Sequence, residues 1–286
     1  MKQKKHVTLS SLINQNYDKL PTAERKLADI ILDFPGEIAA YTATELAELA
    51  GVSKAAATRF FKHLGFSSFE EARRLARDSQ KWGSPMYLQS KNQLNETSDQ
   101  HIQQYLKEEV SNLSSTLNNI DFDELEEICH AIVNAKRLWI LGYRNSQYIA
   151  SYTRWQFIQF RPNVFLLPSG VGETLGEYIA ELNNDDLVIV IGVRRRVANL
   201  PEIMQAIKAK DTPILYLTDP TASKTSLHAK WVIKSAVATS FLFDSYTSLM
   251  SISRFLAVES YRISGKKGRD HLKMIEVEHE NLREFE

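Results

Sequence analysis

A chain of 286 residues is long enough for two domains at the usual size of about 100–200 residues each. Its 43% hydrophobic and 24% charged residues are typical of a globular protein, which excludes a collagen-like or wholly disordered chain. The 35 basic and 35 acidic side chains cancel, so any surface that binds nucleic acid must be a local patch of charge.

Cysteine and apolar residues exclude further classes of protein. Cys129 is the only cysteine in the sequence, which excludes an internal disulfide and a metal site built from several cysteines. The longest apolar runs, such as residues 187–193, are far shorter than the ~20 residues that cross a bilayer, and no apolar signal segment follows the basic residues 1–6. These features predict a cytoplasmic protein without membrane contact, and no metal or cofactor motif is evident.

Residues 9–80 have the apolar periodicity of helices over almost their whole length. Breaks in the pattern predict helices over residues 21–34, 37–41, 44–50, 54–64 and 68–80. Residues 1–80 are therefore predicted to form an all-α domain. The mostly polar stretch 81–100, with Gly83, Ser84 and Pro85, is predicted to be a linker.

From residue 137 onward, short apolar runs alternate with amphipathic segments. These runs predict five strands, over 138–141, 164–167, 187–191, 214–217 and 231–233. Before them, helical periodicity predicts two helices, over 102–117 and 122–134. Further helices are predicted over 146–160, 172–182, 200–210, 222–228, 241–263 and 269–285. Strands that are apolar on both faces and alternate with helices indicate a parallel sheet, so residues 101–286 are predicted to form an α/β domain with a five-stranded parallel sheet flanked by helices.

Residues 43–62 have the spacing of a helix-turn-helix. Two helices that cross steeply need a small residue at the crossing and a tight turn between them, and Ala47 and Gly51 meet these needs. Ser53 can cap the second helix. The positions that then point inward are Leu46, Ala50, Val52, Ala57 and Phe60.

The outward positions of that second helix carry positive charge. From Gly51 to Phe69 there is no acidic residue, so this surface would attract a phosphate backbone. We expect Lys54 and Arg59 to reach base edges in the major groove and Lys62 to contact phosphate. The residues predicted to bind double-stranded operator DNA are Ser53, Lys54, Ala55, Thr58, Arg59 and Lys62. The alternative is an ordinary helical hairpin with a solvated basic face.

The same region resembles a known family. Its motifs are Leu20-Pro-Thr-Ala-Glu-Arg-Lys-Leu-Ala-Asp29, Glu45-Leu-Ala-Glu-Leu-Ala-Gly-Val-Ser53 and, most distinctive, Leu64-Gly-Phe-Ser-Ser-Phe69. They resemble the amino-terminal domain of RpiR-type transcriptional regulators. The resemblance implies a domain that binds operator DNA followed by a sugar-isomerase (SIS) domain, and the order of elements after residue 137 is similar to that of a SIS domain.

A small-molecule site is predicted at the carboxyl ends of the strands, where parallel sheets bind their ligands. The first strand leads through Tyr143, Arg144 and Asn145 directly into a helix, whose start offers backbone N–H groups to an anion. Ser146 matches the serine with which SIS domains commonly hold a sugar phosphate. The alternative role for Ser146 is a simple helix cap.

The loop after the third strand departs from the family pattern. SIS domains typically have Ser-x-Ser-Gly-x-Thr there, whereas this chain has Gly192-Val-Arg-Arg-Arg-Val197. Because arginine can bind phosphate or carboxylate through two parallel hydrogen bonds, a small anionic metabolite, either a sugar phosphate or a related acid, stays the expected effector. The predicted ligand-binding residues are Tyr143, Arg144, Asn145, Ser146, Arg194, Arg195, Arg196, Thr218 and Ser223. The alternative is that the arginines point to solvent or pair with a partner subunit.

Three functions are compatible with the sequence. The first is a regulator, a homodimer or homotetramer without catalytic residues or cofactor, whose operator binding responds to the metabolite. The second is a sugar-phosphate isomerase with an accessory helical domain, for which Glu173, Glu177 and His228 are the nearest acid/base candidates. The third is a constitutive DNA-binding protein whose SIS domain only joins subunits. The last predicted helix has Leu272, Ile275, Leu282 and Phe285 on roughly one face, which is a candidate subunit contact; the alternative is that this face packs against its own domain. We predict the first function.

Overall fold

The fold is given by a computed structural model of the chain. The structure describes residues 9–33, 38, 41–81, 98–168, 174–194, 196–220, 222, 225–237, 239, 241 and 243–285. These residues group into two compact units, one built mainly from residues up to Leu106 and the other mainly from the residues after it. The predicted linker over 81–100 lies almost entirely outside the described residues.

The first unit is helical in all its regular elements that the structure describes. Its helices are α1 (Leu9–Asn16), α2 (Thr22–Asp33), α3 (Ala43–Leu49), α4 (Lys54–His63) and α5 (Phe69–Lys81), with a 3-10 turn at Tyr17–Lys19. Their apolar stripes meet in a core that includes Leu27, Ile31, Leu46, Phe60 and Phe61. This confirms the predicted all-α domain, while the helix predicted over 37–41 lies mostly outside the described residues.

The start of α3 corrects the prediction that this helix begins at Thr44. Thr42 is the cap: its hydroxyl accepts a hydrogen bond from the Glu45 N–H at 3.2 Å, and the Glu45 carboxylate accepts one from the Thr42 N–H at 2.7 Å. The acidic residue must stand three positions after the cap for this reciprocal pair to close, and only Thr42 has that spacing to Glu45. These hydrogen bonds lower the pKa of the Glu45 carboxyl.

Five parallel strands form one sheet within the part of the chain that the structure describes. They are β1 (Leu138–Gly142), β2 (Val164–Leu167), β3 (Leu187–Gly192), β4 (Ile214–Thr218) and β5 (Trp231–Lys234), in the spatial order β2-β1-β3-β4-β5. The helices outside the first unit's core are α6 (Ser98–Asn118), α7 (Phe122–Asn134), α8 (Asn145–Ile158), α9 (Leu175–Glu181), α10 (Leu200–Lys208), α11 (Thr247–Ser264) and α12 (Lys266–Leu282). The predicted α/β fold with a five-stranded parallel sheet is confirmed.

Burial explains why the strand sequences are apolar at every position. β1, β3 and β4 are buried along their whole length, since they lie inside the sheet and have helices packed on them. The register pairs Gly142 of β1 with Ile191 of β3, and Gly192 of β3 with Thr218 of β4. The residues that follow Gly142, Gly192 and Thr218 therefore leave the sheet along one line, which we call the carboxyl edge.

The long helix after β5 begins later than the sequence predicts. The apolar spacing predicts a helix over 241–263, but α11 begins at Thr247. The Ser245 N–H donates to the Val237 carbonyl at 2.8 Å, and the Ser245 hydroxyl accepts from the Thr247 N–H at 3.2 Å. These bonds hold Ser245 outside the helix and cap its first turn. Of the predicted helix over 222–228, residues 223 and 224 lie outside the described residues, and Thr225–His228 form a 3-10 turn.

No helix among the described residues is long and apolar enough to span a membrane.

Candidate functional site

The turn between α3 and α4 has the geometry that the sequence predicts. Gly51 has a φ of +61°, a left-handed conformation that glycine adopts at little cost. The Val52 N–H donates to the Ala47 carbonyl at 2.9 Å, and the Ser53 hydroxyl accepts from the Ala56 N–H at 3.2 Å. Ala47 is buried, as a small residue at the crossing of two helices should be. The two helices are therefore fixed at a tight, capped turn.

The exposed face of α4 holds every residue that the sequence assigns to DNA binding. Its exposed residues, with the cap, are Ser53, Lys54, Ala55, Thr58, Arg59, Lys62 and His63. The opposite face is buried through Ala56, Ala57, Phe60 and Phe61. The Thr58 hydroxyl donates to the Lys54 carbonyl one turn earlier at 3.0 Å, so its proton is used within the helix.

The charges on this face are left without neutralising neighbours. Lys54, Arg59 and Lys62 form no ion pair with a carboxylate among the described residues. At the end of α4, His63 Nδ1 lies 2.6 Å from the carboxylate of Glu24 on α2, whose side chain is only 3% exposed. This contact anchors the last turn of α4 to α2 and leaves the three cations facing outward.

At the carboxyl edge, β1 runs into α8 with almost no space between them. A Cβ on Gly142 would lie 2.4 Å from the backbone carbonyl oxygen of Ser146, so only glycine fits there. Arg144, the residue before α8, has a backbone φ of 54°, which is strained for any residue other than glycine. The first turn of α8, with Ser146 buried in it, is thereby held against the strand end. Burial raises the pKa of the Tyr143 phenol, so this hydroxyl stays protonated as a donor.

The ends of β3 and β4 are joined by a buried network around Asp219. The Asp219 carboxylate pairs with the Arg196 guanidinium, and these side chains are 1% and 5% exposed. The same carboxylate accepts a hydrogen bond from the backbone N–H of Arg194 at 2.6 Å. The Gly192 carbonyl accepts from the hydroxyls of Tyr216 at 2.9 Å and Thr218 at 2.7 Å, and from Arg196 Nε at 3.1 Å.

These contacts show where the predicted ligand residues stand. Tyr143, Arg144, Asn145 and Ser146 lie together at the start of α8, whereas Arg196 and Thr218 lie in the Asp219 network. Arg194 is half-buried in the loop after β3, and Arg195 and Ser223 lie outside the described residues. Asp219 and Tyr216 are not among the residues that the sequence predicts for this site. The one available signal was a carboxylate following directly on a buried strand.

Two of the three candidates for acid/base chemistry lie among the described residues. Glu177 on α9 is exposed and accepts a hydrogen bond from the Thr174 hydroxyl at 2.5 Å. His228 is half-buried in the 3-10 turn, and Glu173 lies outside the described residues. Within the described part of the chain, no group of three or more His, Cys, Asp or Glu side chains has the arrangement of a metal site.

Comparison with known proteins covers both parts of the chain. Residues 7–81 match the family model of the rpiR-family helix-turn-helix domain, and residues 131–259 match that of the SIS domain. An uncharacterised HTH-type transcriptional regulator of Thermotoga maritima is 25% identical over 239 residues, which are 82% of this chain and 84% of that protein.

Two solved structures share the fold. The sugar isomerase domain of an RpiR transcription factor from Sphaerobacter thermophilus superimposes with a TM-score of 0.57 at 21% identity, over 64% of this chain and 98% of that one. The Vibrio vulnificus NanR protein, complexed with ManNAc-6P, superimposes with a TM-score of 0.57 at 16% identity, over 96% of this chain and 99% of that one.

Proposed function

Because the chain belongs to the RpiR-type transcriptional regulators, with an rpiR-family helix-turn-helix domain followed by a SIS domain, we propose that it binds operator DNA through α4 and that a small anionic metabolite modulates this binding. The metabolite binds at the carboxyl edge of the sheet. The observation that carries the proposal is the exposed face of α4, which holds Lys54, Arg59 and Lys62 and no carboxylate.

The face of α4 suits the major groove of DNA. A recognition helix contacts bases with residues near its start and the backbone with its flanks. Lys54 lies at the start of α4 and Arg59 one and a half turns on, so we assign them to base edges, while Lys62 in the last turn contacts phosphate. The Thr58 hydroxyl can accept a hydrogen bond from DNA but not donate one, because its proton is already donated to the Lys54 carbonyl. Ser53 and Ala55 complete the surface that approaches the groove.

The start of α8 supports an anionic effector. The positive end of the helix dipole attracts anions, and Ser146 and the protonated Tyr143 add hydroxyl donors nearby. We propose Arg194, Arg195 and Ser223 as further donors to the effector. The structure of NanR with ManNAc-6P, which has the same fold, supports a sugar phosphate as the class of effector.

Arg196 and Thr218 contribute to this site in a different way. An effector that contacts Arg196 must compete with the Asp219 carboxylate for the guanidinium. Thr218 already donates to the Gly192 carbonyl. We therefore propose that both residues hold the loop after β3 in its conformation. Either of them contacts the effector directly only if the Arg196–Asp219 ion pair rearranges.

The proposal extends to organisation. Residues 1–80 are the DNA-binding domain, 81–100 the linker and 101–286 the SIS-like domain, which binds effector and joins subunits. A dimer or tetramer is expected because a single recognition helix reads only a few base pairs, whereas a symmetric pair reads two half-sites. Effector and DNA then act on each other by linkage: a ligand that binds one arrangement of subunits more tightly shifts the protein toward it. Catalysis is not part of the proposal.

The decisive experiment selects genomic DNA fragments with the purified full chain and repeats the selection with single sugar phosphates. We expect a small set of enriched fragments whose affinity changes with at least one sugar phosphate. Equal retention of genomic and random duplexes at moderate salt would exclude operator binding. An unchanged thermal midpoint with every sugar phosphate would instead leave a DNA-binding protein without this effector class. The same sugar phosphates are assayed for turnover, since isomerisation would support the enzyme alternative.

A further inference from the structure

The last helix, α12, turns apolar side chains outward. Met274 is 65% exposed and Val277 is 44% exposed. Leu272 and Ile275, which the sequence placed on the candidate contact face, are half-buried instead. The helix therefore has one face turned to the rest of its own chain and a second, outward face centred on Met274 and Val277.

The charges of α12 and the residues just after it are segregated along the helix axis. Its first half carries Lys266, Lys267, Arg269 and Lys273, with Asp270, and its second half carries Glu276, Glu278, Glu280 and Glu284, with Arg283. A helix is positive at its N-terminus and negative at its C-terminus, so cations at the start and carboxylates at the end are both unfavourable for the helix itself. The stability of the helix alone therefore does not account for this distribution.

A second helix that runs in the opposite direction would turn the same distribution into complementarity. We propose that the outward face of α12 pairs antiparallel with α12 of a second copy of this chain. A two-fold axis between Ile275 and Glu276 places Met274 beside Val277 of the other copy. Such an interface uses the same surface twice and must be complementary to itself, which this helix is.

The charged residues select this partner and this direction. The two-fold arrangement brings Lys273 close to Glu280 of the second copy, and this contact occurs twice. A parallel pair would set like charges against each other, and an acidic or basic surface would match only one half of the helix. The inference rests on the dimer that the proposed function expects, but its test involves neither DNA nor effector, so its failure is distinguishable from a failure of operator or effector binding.

The test is disulfide cross-linking in the full chain. Met274→Cys protein is mixed with Val277→Cys protein and oxidised, and the mixed disulfide is quantified by mass spectrometry. The native Cys129 is buried and does not compete. The control is a mixture of Lys136→Cys and Lys210→Cys proteins, because both lysines are exposed and lie outside α12. We expect the mixed disulfide between positions 274 and 277 to form readily and the control to give only collisional background.

Charge reversal then tests the complementarity. Lys273→Glu, placed in the Met274→Cys chain, should lower cross-linking by about tenfold, because its carboxylate then faces Glu280 of the second copy. Adding Glu280→Lys to the Val277→Cys chain should restore it, which excludes misfolding as the cause of the loss. Cross-linking no faster than the control, insensitivity to the first reversal, or failure of the second to rescue would each overturn the proposal.

Discussion

The surface of α4 and the carboxyl edge of the sheet are built in opposite ways. The first lies on one helix, whose exposed positions follow from helical periodicity and whose cations form no ion pair with a carboxylate among the described residues. The second is assembled from β1, β3 and β4, and its polar groups are bound to one another around Asp219. A substitution on α4 should therefore change binding and leave stability alone. A substitution in the Asp219 network should change the stability of the second unit first.

The largest effect is expected for Asp219→Ala. The change leaves the buried Arg196 guanidinium and the Arg194 N–H without their shared acceptor, and removing one member of a buried ion pair costs about 3–5 kcal/mol. Urea unfolding of the second unit, followed by tryptophan fluorescence, measures the loss.

The control is Glu259→Ala. Glu259 accepts a hydrogen bond from Arg262 Nε at 2.8 Å, but the Arg262 side chain is 65% exposed, so the loss should be less than about 1 kcal/mol. Equal losses for the two variants would mean that burial does not set the strength of the Asp219 pair. The double variant Asp219→Leu with Arg196→Met should recover part of the stability, since it removes both buried charges.

The next effect tests how closely α8 is held against β1. Gly142→Ala puts a Cβ 2.4 Å from the Ser146 carbonyl oxygen, so α8 must shift, and we expect a loss of about 2–3 kcal/mol together with weaker effector binding. In Gly176→Ala, on α9, the nearest atom would be 3.8 Å from the new Cβ, so that variant should be neutral or slightly more stable. A Gly142→Ala protein with wild-type unfolding and effector response would show that the two elements are not packed as tightly as the structure has them.

These two sites also differ in how far the sequence predicts them. The sequence predicts the strands, their parallel direction and the outward face of α4, because each follows from apolar patterns within about 20 neighbouring residues. The Arg196–Asp219 pair does not follow from such patterns, because two loops that follow different strands come together only when the sheet forms. The start of α11 is also not predicted by the sequence. The apolar spacing favours a helix from residue 241, but the hydrogen bond from the Ser245 N–H to the Val237 carbonyl holds the chain before Thr247 outside the helix. The sequence thus predicts where a ligand site lies better than which of its side chains are free to use.

On the DNA side, Arg59→Ala should weaken binding to a selected operator by about 1–3 kcal/mol and relax preference at one position, if the side chain reads a base. The unfolding free energy should not change, because Arg59 is exposed and has no carboxylate partner among the described residues. Fluorescence anisotropy with operator and random duplexes measures both affinity and preference. Lys26→Ala, an exposed cation on α2, is the control and should leave binding unaltered. An equal loss on both duplexes would reassign Arg59 to phosphate contact.

The smallest effect distinguishes two histidines that are almost equally exposed. The side chain of His63 is 53% exposed and lies 2.6 Å from Glu24, which is 3% exposed; that of His130 is 54% exposed and lies 3.9 Å from Glu126, which is 67% exposed. Removing His63 leaves a buried carboxylate short of a partner, so His63→Ala should cost about 1–2 kcal/mol in the first unit, whereas His130→Ala should cost almost nothing in the second. Hydrogen exchange of the α2 and α7 amides locates each loss. If His63→Ala lowers stability but operator affinity is unchanged, the anchoring of α4 to α2 supports only the fold; if affinity falls as well, this buried contact also sets the position of the DNA-facing surface.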